Sequence, residues 1–203
     1  MKNKIGNIEV VAGCMFAGKT EELIRHAHTL SRTNHQYCVI KPKIDNRYGK
    51  EKVVSHNGNF VKAIEISKAI DILTCINEKT KAVLIDEAQF FDDQLEQVVT
   101  YLINQGIDVV AVGLDMDFRA EPFPVMSRLL ARANKVNKIT SYCAVCNEPA
   151  TRTQRLIDGK PASYNDPIVL IGAQESYEPR CSIHHEVADY PKLFEGETKN
   201  EIQ

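Results

Sequence analysis

The sequence predicts an α/β fold in which a parallel sheet, built around a phosphate-binding loop and covered by helices on both faces, carries a small zinc-binding lobe. Three observations predict it. Short β-branched runs alternate with helix-like segments from Ile8 to Leu114, the signature of βαβ units. The first of these runs leads directly into Gly13-Cys14-Met15-Phe16-Ala17-Gly18-Lys19-Thr20, a G-x-x-x-x-G-K-[ST] loop. Beyond Ser141 the helical periodicity stops, and cysteines appear at close spacing.

Taken in order, the predicted strands are Ile8 to Val11, Tyr37 to Lys41, Ala82 to Asp86 and Val109 to Gly113. Their runs are almost continuously apolar, as expected of parallel strands buried on both faces. Between them, Glu21 to Leu30, Ser67 to Ile76 and Asp92 to Asn104 carry apolar residues at helical spacing, with Ser67 and Asp92 as N-caps. The polar, turn-rich stretch Lys43 to Gly58 reads as a loop or small hairpin over a site. These features divide the chain into an α/β ATP-binding domain (1–140), a zinc-binding lobe with a substrate-binding loop (141–190) and a polar tail (191–203).

Composition narrows the function. At 203 residues, 43% apolar and 26% charged, the chain has the make-up of an average globular domain. Lys plus Arg number 25 against 27 for Asp plus Glu, and no basic block occurs, which disfavours binding to nucleic acid or anionic lipid through bulk charge. Apolar runs such as Val109 to Val112 and Ile168 to Ile171 are far shorter than the ~20 residues of a membrane span. No secretory h-region follows the first lysines, so the expected location is the cytoplasm.

The loop's chemistry follows from its residue types. Gly13 and Gly18 let the backbone curl so that amides face an anion at a helix N-terminus. Lys19 reaches the β and γ phosphates, and the Thr20 hydroxyl ligates Mg²⁺. Val83-Leu84-Ile85-Asp86-Glu87 supplies a strand ending in two acids: Asp86 suits the Mg²⁺ shell, and Glu87 suits a general base on an attacking hydroxyl. The pair alone does not separate a kinase from an ATPase, since a glutamate there activates water equally well. A GTPase is disfavoured because Asn134-Lys135-Val136-Asn137 and Asn137-Lys138-Ile139-Thr140 lack the aspartate of Asn-Lys-x-Asp. Phe16, Phe90, Phe91, Phe118, Phe123 and Tyr177 lie near the presumed strand ends, where aromatics can sandwich a planar base or simply fill core.

Cys143-Ala144-Val145-Cys146 is followed, after the segment Asn147 to Arg180, by Cys181-Ser182-Ile183-His184. Two such knuckles supply the four ligands of tetrahedral Zn²⁺ and leave no open position, so the site reads as structural, with one zinc per chain. His185 is the alternative to His184, and the spacing favours His184. Cys14, Cys38 and Cys75 are left over and receive no role. Pro167 to Ala173 can run extended and offer main-chain groups to a ligand.

Together these residues resemble the thymidine kinases of the tetrameric, zinc-containing type found in bacteria and the animal cytosol. The resemblance runs from Ile8 to about Glu186. It rests on Gly13 to Thr20, Asp45-Asn46-Arg47-Tyr48, Ser55-His56-Asn57-Gly58, Ile85 to Phe91, Gly113 to Arg119 and the Cys/Cys/Cys/His set. It implies a RecA-like core with a lasso-like loop on the zinc lobe, and transfer of the γ-phosphate of Mg-ATP to the 5′-hydroxyl of thymidine or deoxyuridine, giving dTMP and ADP. It makes Glu87 the base, and adds Arg47, Asp45 and Gln89 to the phosphate side. It lines a thymine pocket with Met15, Phe90, Leu114, Phe118, Phe123 and Tyr177, and holds the base edge on main-chain groups of Ile168, Val169, Leu170, Ile171 and Gly172. A homotetramer inhibited by dTTP is implied by the resemblance alone. His184 stands where animal members have a fourth cysteine. The competing readings are a P-loop regulatory ATPase whose zinc lobe binds a partner, and a kinase of another small alcohol.

Overall fold

The computed structural model of the protein describes residues 5–33, 35–44, 52–55, 57–168 and 175–191. Its centre is a six-stranded parallel sheet made of β1 (Ile8–Ala12), β2 (Gln36–Pro42), β5 (Ile64–Ile66), β6 (Thr80–Ile85), β7 (Asp108–Gly113) and β8 (Lys135–Lys138), in the order β5-β2-β6-β7-β1-β8. A two-stranded antiparallel hairpin, β3 (Lys52–Val54) and β4 (Phe60–Lys62), stands apart from it. Alternate residues of each strand feed two apolar layers. On one face Val11, Val39, Leu84, Val110 and Val112 meet Leu23, Ile24 and Ala27 of α1 (Lys19–Arg32), joined by Val53 and Val61 of the hairpin. On the other, Val10, Ile40, Val83, Ile85, Val109 and Ala111 meet α2 (Leu95–Asn104) and α3 (Pro124–Arg132). Helices on both faces are therefore what the structure has.

The structure departs from the sequence reading at five elements of the body. The segment expected as a helix from Ser67 is a 3₁₀-helix, Ala69–Cys75, whose cap is Lys68 without a side-chain bond. Its core contacts are Ala69 and Ile72, with Leu73 and Cys75 packed beside them, a spacing common to both helix types over so short a run. Asp92 is not the cap of α2 either. Its carboxylate accepts from the Gln94 amide at 3.0 Å and the Ala69 amide at 3.2 Å, fastening the 3₁₀-helix to the start of α2. α3 and the strands β5 and β8 were not expected. β5 and β8 are edge strands paired on one side and are short, three and four residues, and β8 is mostly polar.

After Ser141 the chain forms small antiparallel sheets: β9 (Ser141–Tyr142) with β10 (Pro149–Ala150), then β11 (Arg152–Ile157) between β12 (Lys160–Pro161) and β13 (Glu175–Arg180). The apolar core here is Cys14, Cys143, Ala150 and Cys181, with Ala17 and Cys146 against it. Two of these, Cys14 and Ala17, belong to the phosphate loop.

Candidate active site

The loop between β1 and α1 is shaped by two different constraints. A Cβ on Gly13 would lie 2.2 Å from the carbonyl oxygen of Ile139, beyond the end of β8, so no side chain fits there. Gly18 has φ 87° and ψ 20°, the left-handed conformation that L-residues resist, and caps α1 with no side chain on the helix amides. Lys19 follows, and its Nζ donates to the Cys14 carbonyl at 2.7 Å. Burial pushes its ammonium below the usual lysine range, while Glu87, Cys14, Asp86 and Asp115 pull it back up. The lysine and both acids therefore share one pocket of field at the carboxyl ends of the parallel strands, where ligands of open α/β sheets bind.

Asp86 is the first residue past β6 and is buried; its amide still bonds the Ile40 carbonyl on β2 at 2.8 Å. Glu87 turns sharply, with φ 46° and ψ 44°, a strained conformation for a glutamate of the kind that concentrates at functional sites. Gln89, in the short 3₁₀-helix Ala88–Phe90, donates from Nε2 to Glu87 Oε2 at 2.5 Å and accepts at Oε1 from the Leu114 amide at 3.0 Å. Its amide thus bonds the protein at both ends.

The aromatic residues gather around the segment after β7. Phe118 and Phe123 are buried, Phe90 and Phe123 meet edge to face at 6.3 Å, and Leu114 is held by Gln89. β11 brings the lobe onto this wall. Thr153 Oγ1 accepts the Met15 amide at 3.1 Å, Arg152 reaches the Met116 sulfur, and Arg155 lies over the Phe118 ring at 5.1 Å. Arg155 is fully buried, donates to the Pro167 carbonyl at 2.6 Å, and stands opposite Tyr177 in the β11–β13 register. Met15, Phe90, Leu114, Phe118, Phe123 and Tyr177 are therefore carried on elements that meet. Phe16 is exposed, with φ 63°, and Ile168 is exposed. Asp45, Arg47, Val169, Leu170, Ile171 and Gly172 lie outside the described residues.

Cys143, Cys146, Cys181 and His184 place their donor atoms within 4.8 Å of one another, a set that can hold a metal ion. The His184 Nδ1 approaches Cys181 Sγ at 3.2 Å and Cys143 Sγ at 3.7 Å. Burial pushes the Cys143 thiol up, but amides of Cys181, Val145 and Cys146 outweigh it and hold the group down at about 5, favouring the thiolate a metal needs. Three thiolates and one imidazole fit tetrahedral zinc with no position left for substrate. His185 turns away: its Nε2 meets the Phe118 carbonyl at 2.8 Å. Of the leftover cysteines, Cys14 bonds the Ala150 carbonyl at 3.3 Å, and burial, with Cys75 adding to it, pushes the Cys38 thiol up to about 12, far from a nucleophile.

The sequence reading missed Arg155, Thr153 and the bonding of Gln89. The available signal was a charged residue inside the run Arg152-Thr153-Gln154-Arg155-Leu156-Ile157, where an arginine on a strand's inward face must have a partner.

Compared with known proteins, residues 6–185 match the family model described as thymidine kinase. Among solved structures, the chain is similar to the RuvB Holliday junction branch migration motor of Thermotoga maritima, with 12% identity and a TM-score of 0.41 over 67% of this chain and 38% of that one. It is also similar to the genome packaging NTPase of Sulfolobus turreted icosahedral virus 2. In complex with sulfate that protein gives 14% identity and a TM-score of 0.44, over 71% of this chain and 78% of that one. In complex with ATP-gammaS it gives 13% and 0.40, over 70% and 78%. The chain spans well under half the length of the RuvB motor. Among the described residues no helix is long and apolar enough to cross a membrane.

Proposed function

The chain belongs to the thymidine kinase family, a family of nucleoside kinases, and on that premise we propose that it transfers the γ-phosphate of ATP to the 5′-hydroxyl of thymidine or deoxyuridine. The observation that carries this reading is the meeting of Lys19, Asp86 and Glu87 at one end of the sheet, beside the wall formed by Leu114, Phe118 and Phe123.

In this reading the loop from Gly13 to Thr20 wraps the triphosphate: the amides of Cys14, Phe16 and Ala17 line it, that of Met15 is held by Thr153 and fixes the curl of the loop, and Lys19 exchanges its bond to the Cys14 carbonyl for the β and γ phosphates. Thr20 and Asp86 would hold Mg²⁺, which when bound neutralises charge on the transferring phosphate. Glu87 takes the proton of the 5′-hydroxyl as that oxygen bonds to the γ-phosphorus and the bond to the β-phosphate oxygen breaks, leaving ADP and dTMP. The wall of Met15, Phe90, Leu114, Phe118, Phe123 and Tyr177 packs on the base. A close apolar pocket admits hydrogen or methyl at C5 and excludes purines. The zinc would clamp Cys143, Cys146, Cys181 and His184, keeping β11 and β13 seated on the phosphate loop. By resemblance to the family, Arg47 and Asp45 act at the triphosphate, main-chain groups of 168–172 hold the base edge, and the enzyme is a cytoplasmic homotetramer inhibited by dTTP.

The test is transfer of labelled γ-phosphate from Mg-ATP to thymidine, deoxyuridine, deoxycytidine, deoxyadenosine and deoxyguanosine, with a control lacking nucleoside. Label in the first two products alone is the expected result. Equal release of phosphate without nucleoside would replace the kinase by an ATPase.

A further inference from the structure

The Glu87 carboxylate and the Leu114 main-chain N–H are joined by the side chain of Gln89. Gln89 is buried, and its amide lies between the Glu87 carboxylate and the Leu114 N–H. Only one orientation of the amide satisfies both neighbours, because the carboxylate needs a donor and the N–H needs an acceptor. The space for it is created by Gly113: a Cβ there would fall 2.4 Å from Gln89 Oε1. The chain also bends for it. Glu87 is in the left-handed conformation, and the Phe90 amide closes the turn on the Glu87 carbonyl at 3.0 Å. A glutamate on such a turn has three side-chain torsions to fix, and a short bond to a buried amide restricts them.

We infer that Gln89 is the positioning residue for Glu87: its amide, held from behind by the Leu114 N–H, aims the carboxylate at the acceptor hydroxyl and ties that aim to the wall on which the nucleobase packs. The inference rests on the reading of Glu87 as the base. It gives Gln89 no contact with ATP and predicts an effect on the chemical step instead of on binding. It also gives a reason for glycine at the end of β7 that chain bending does not supply.

The experiment is a double-mutant cycle on the full chain, measuring kcat and both KM values for thymidine phosphorylation in wild type, Glu87→Gln, Gln89→Met and the double variant. Gln89→Met removes the amide at similar volume. It should lower kcat by about 10- to 100-fold, the cost of a misplaced catalytic group, while KM for ATP and thymidine stay within about twofold. In the Glu87→Gln background the same change should do almost nothing, since a residue acting through Glu87 has nothing left to position. If Gln89→Met lowers kcat by the same factor in both backgrounds, or raises KM for ATP instead, the positioning role is overturned while the base survives. If Glu87→Gln alone turns over at the wild-type rate, the base and its positioner fall together. Gln89→Glu keeps the acceptor for Leu114 and places a like charge against Glu87, so it covers the case in which the methionine variant does not fold. Wild-type turnover in Gln89→Glu would equally overturn the inference.

Discussion

The α/β body and the small sheets after Ser141 solve the same problem by opposite means. The body buries two continuous apolar layers, with Leu84, Val83 and Ile85 fully enclosed between helices. Hydrophobic burial at about 25 cal/mol per Å² suffices for such a region. The β9–β13 region has a core of a few small side chains, and one of them, Cys14, is borrowed from the phosphate loop. What it has instead is a four-ligand cluster and side-chain contacts running outward: Thr153 to Met15, Arg152 to Met116, Arg155 to the Phe118 ring. The body is stable through its own pattern. The lobe is shaped by a clamp and by what it touches, and those contacts are the ones that build the candidate site.

This contrast can be broken most directly at the metal. Cys181→Ser, or a strong chelator, should strip the lobe of zinc and lower thymidine phosphorylation by at least about 10³-fold, since structural zinc contributes on the order of 10 kcal/mol to small domains. Metal analysis, the assay and far-UV circular dichroism check it together, and loss of the helical signal along with the metal would show that the two regions stand or fall as one. Leu84→Ala should sharpen the same contrast from the other side. It should cost about 2–5 kcal/mol in urea denaturation, as a fully buried leucine does, and leave zinc content at one per chain. A smaller effect is expected where the regions meet. Arg155→Met removes the bond to Pro167 and the charge over Phe118, and should raise KM for thymidine about tenfold, or 1.4 kcal/mol, with KM for ATP unchanged. The smallest belongs to the body's surface: Arg25→Ala, which breaks the exposed pair with Glu22, should change stability by less than about 0.5 kcal/mol in the same urea titration.

The sequence was most legible where one physical requirement acted alone. Parallel strands covered on both faces had to be largely apolar, so β1, β2, β6 and β7 stood out, and a cluster able to hold a metal shows itself by ligands at knuckle spacing. Legibility failed where requirements competed. β8 reads Lys-Val-Asn-Lys because it has one partner, and nothing in those four residues announces a strand. The 3₁₀-helix at Ala69 shares its apolar spacing with an α-helix over a single turn. At the site, spacing alone left His184 and His185 as competitors, and a long-range fact separates them: the Phe118 carbonyl takes His185, and the cysteines take His184. The role of Gln89 was hidden for a similar reason. Its partners are two residues away on one side and 25 on the other, and only the fold brings Leu114 to it.

The two glycines of the phosphate loop differ in what could replace them. At Gly18 the demand is a backbone angle, and the nearest atom to a Cβ is a glutamate oxygen at 3.8 Å, so asparagine, which tolerates the left-handed region, has room. At Gly13 the obstacle is the Ile139 carbonyl oxygen, part of the main chain, and any side chain at all must push that backbone aside. Over evolutionary time one of these positions can drift to a second residue type, while the other can change only if the edge of the sheet moves with it.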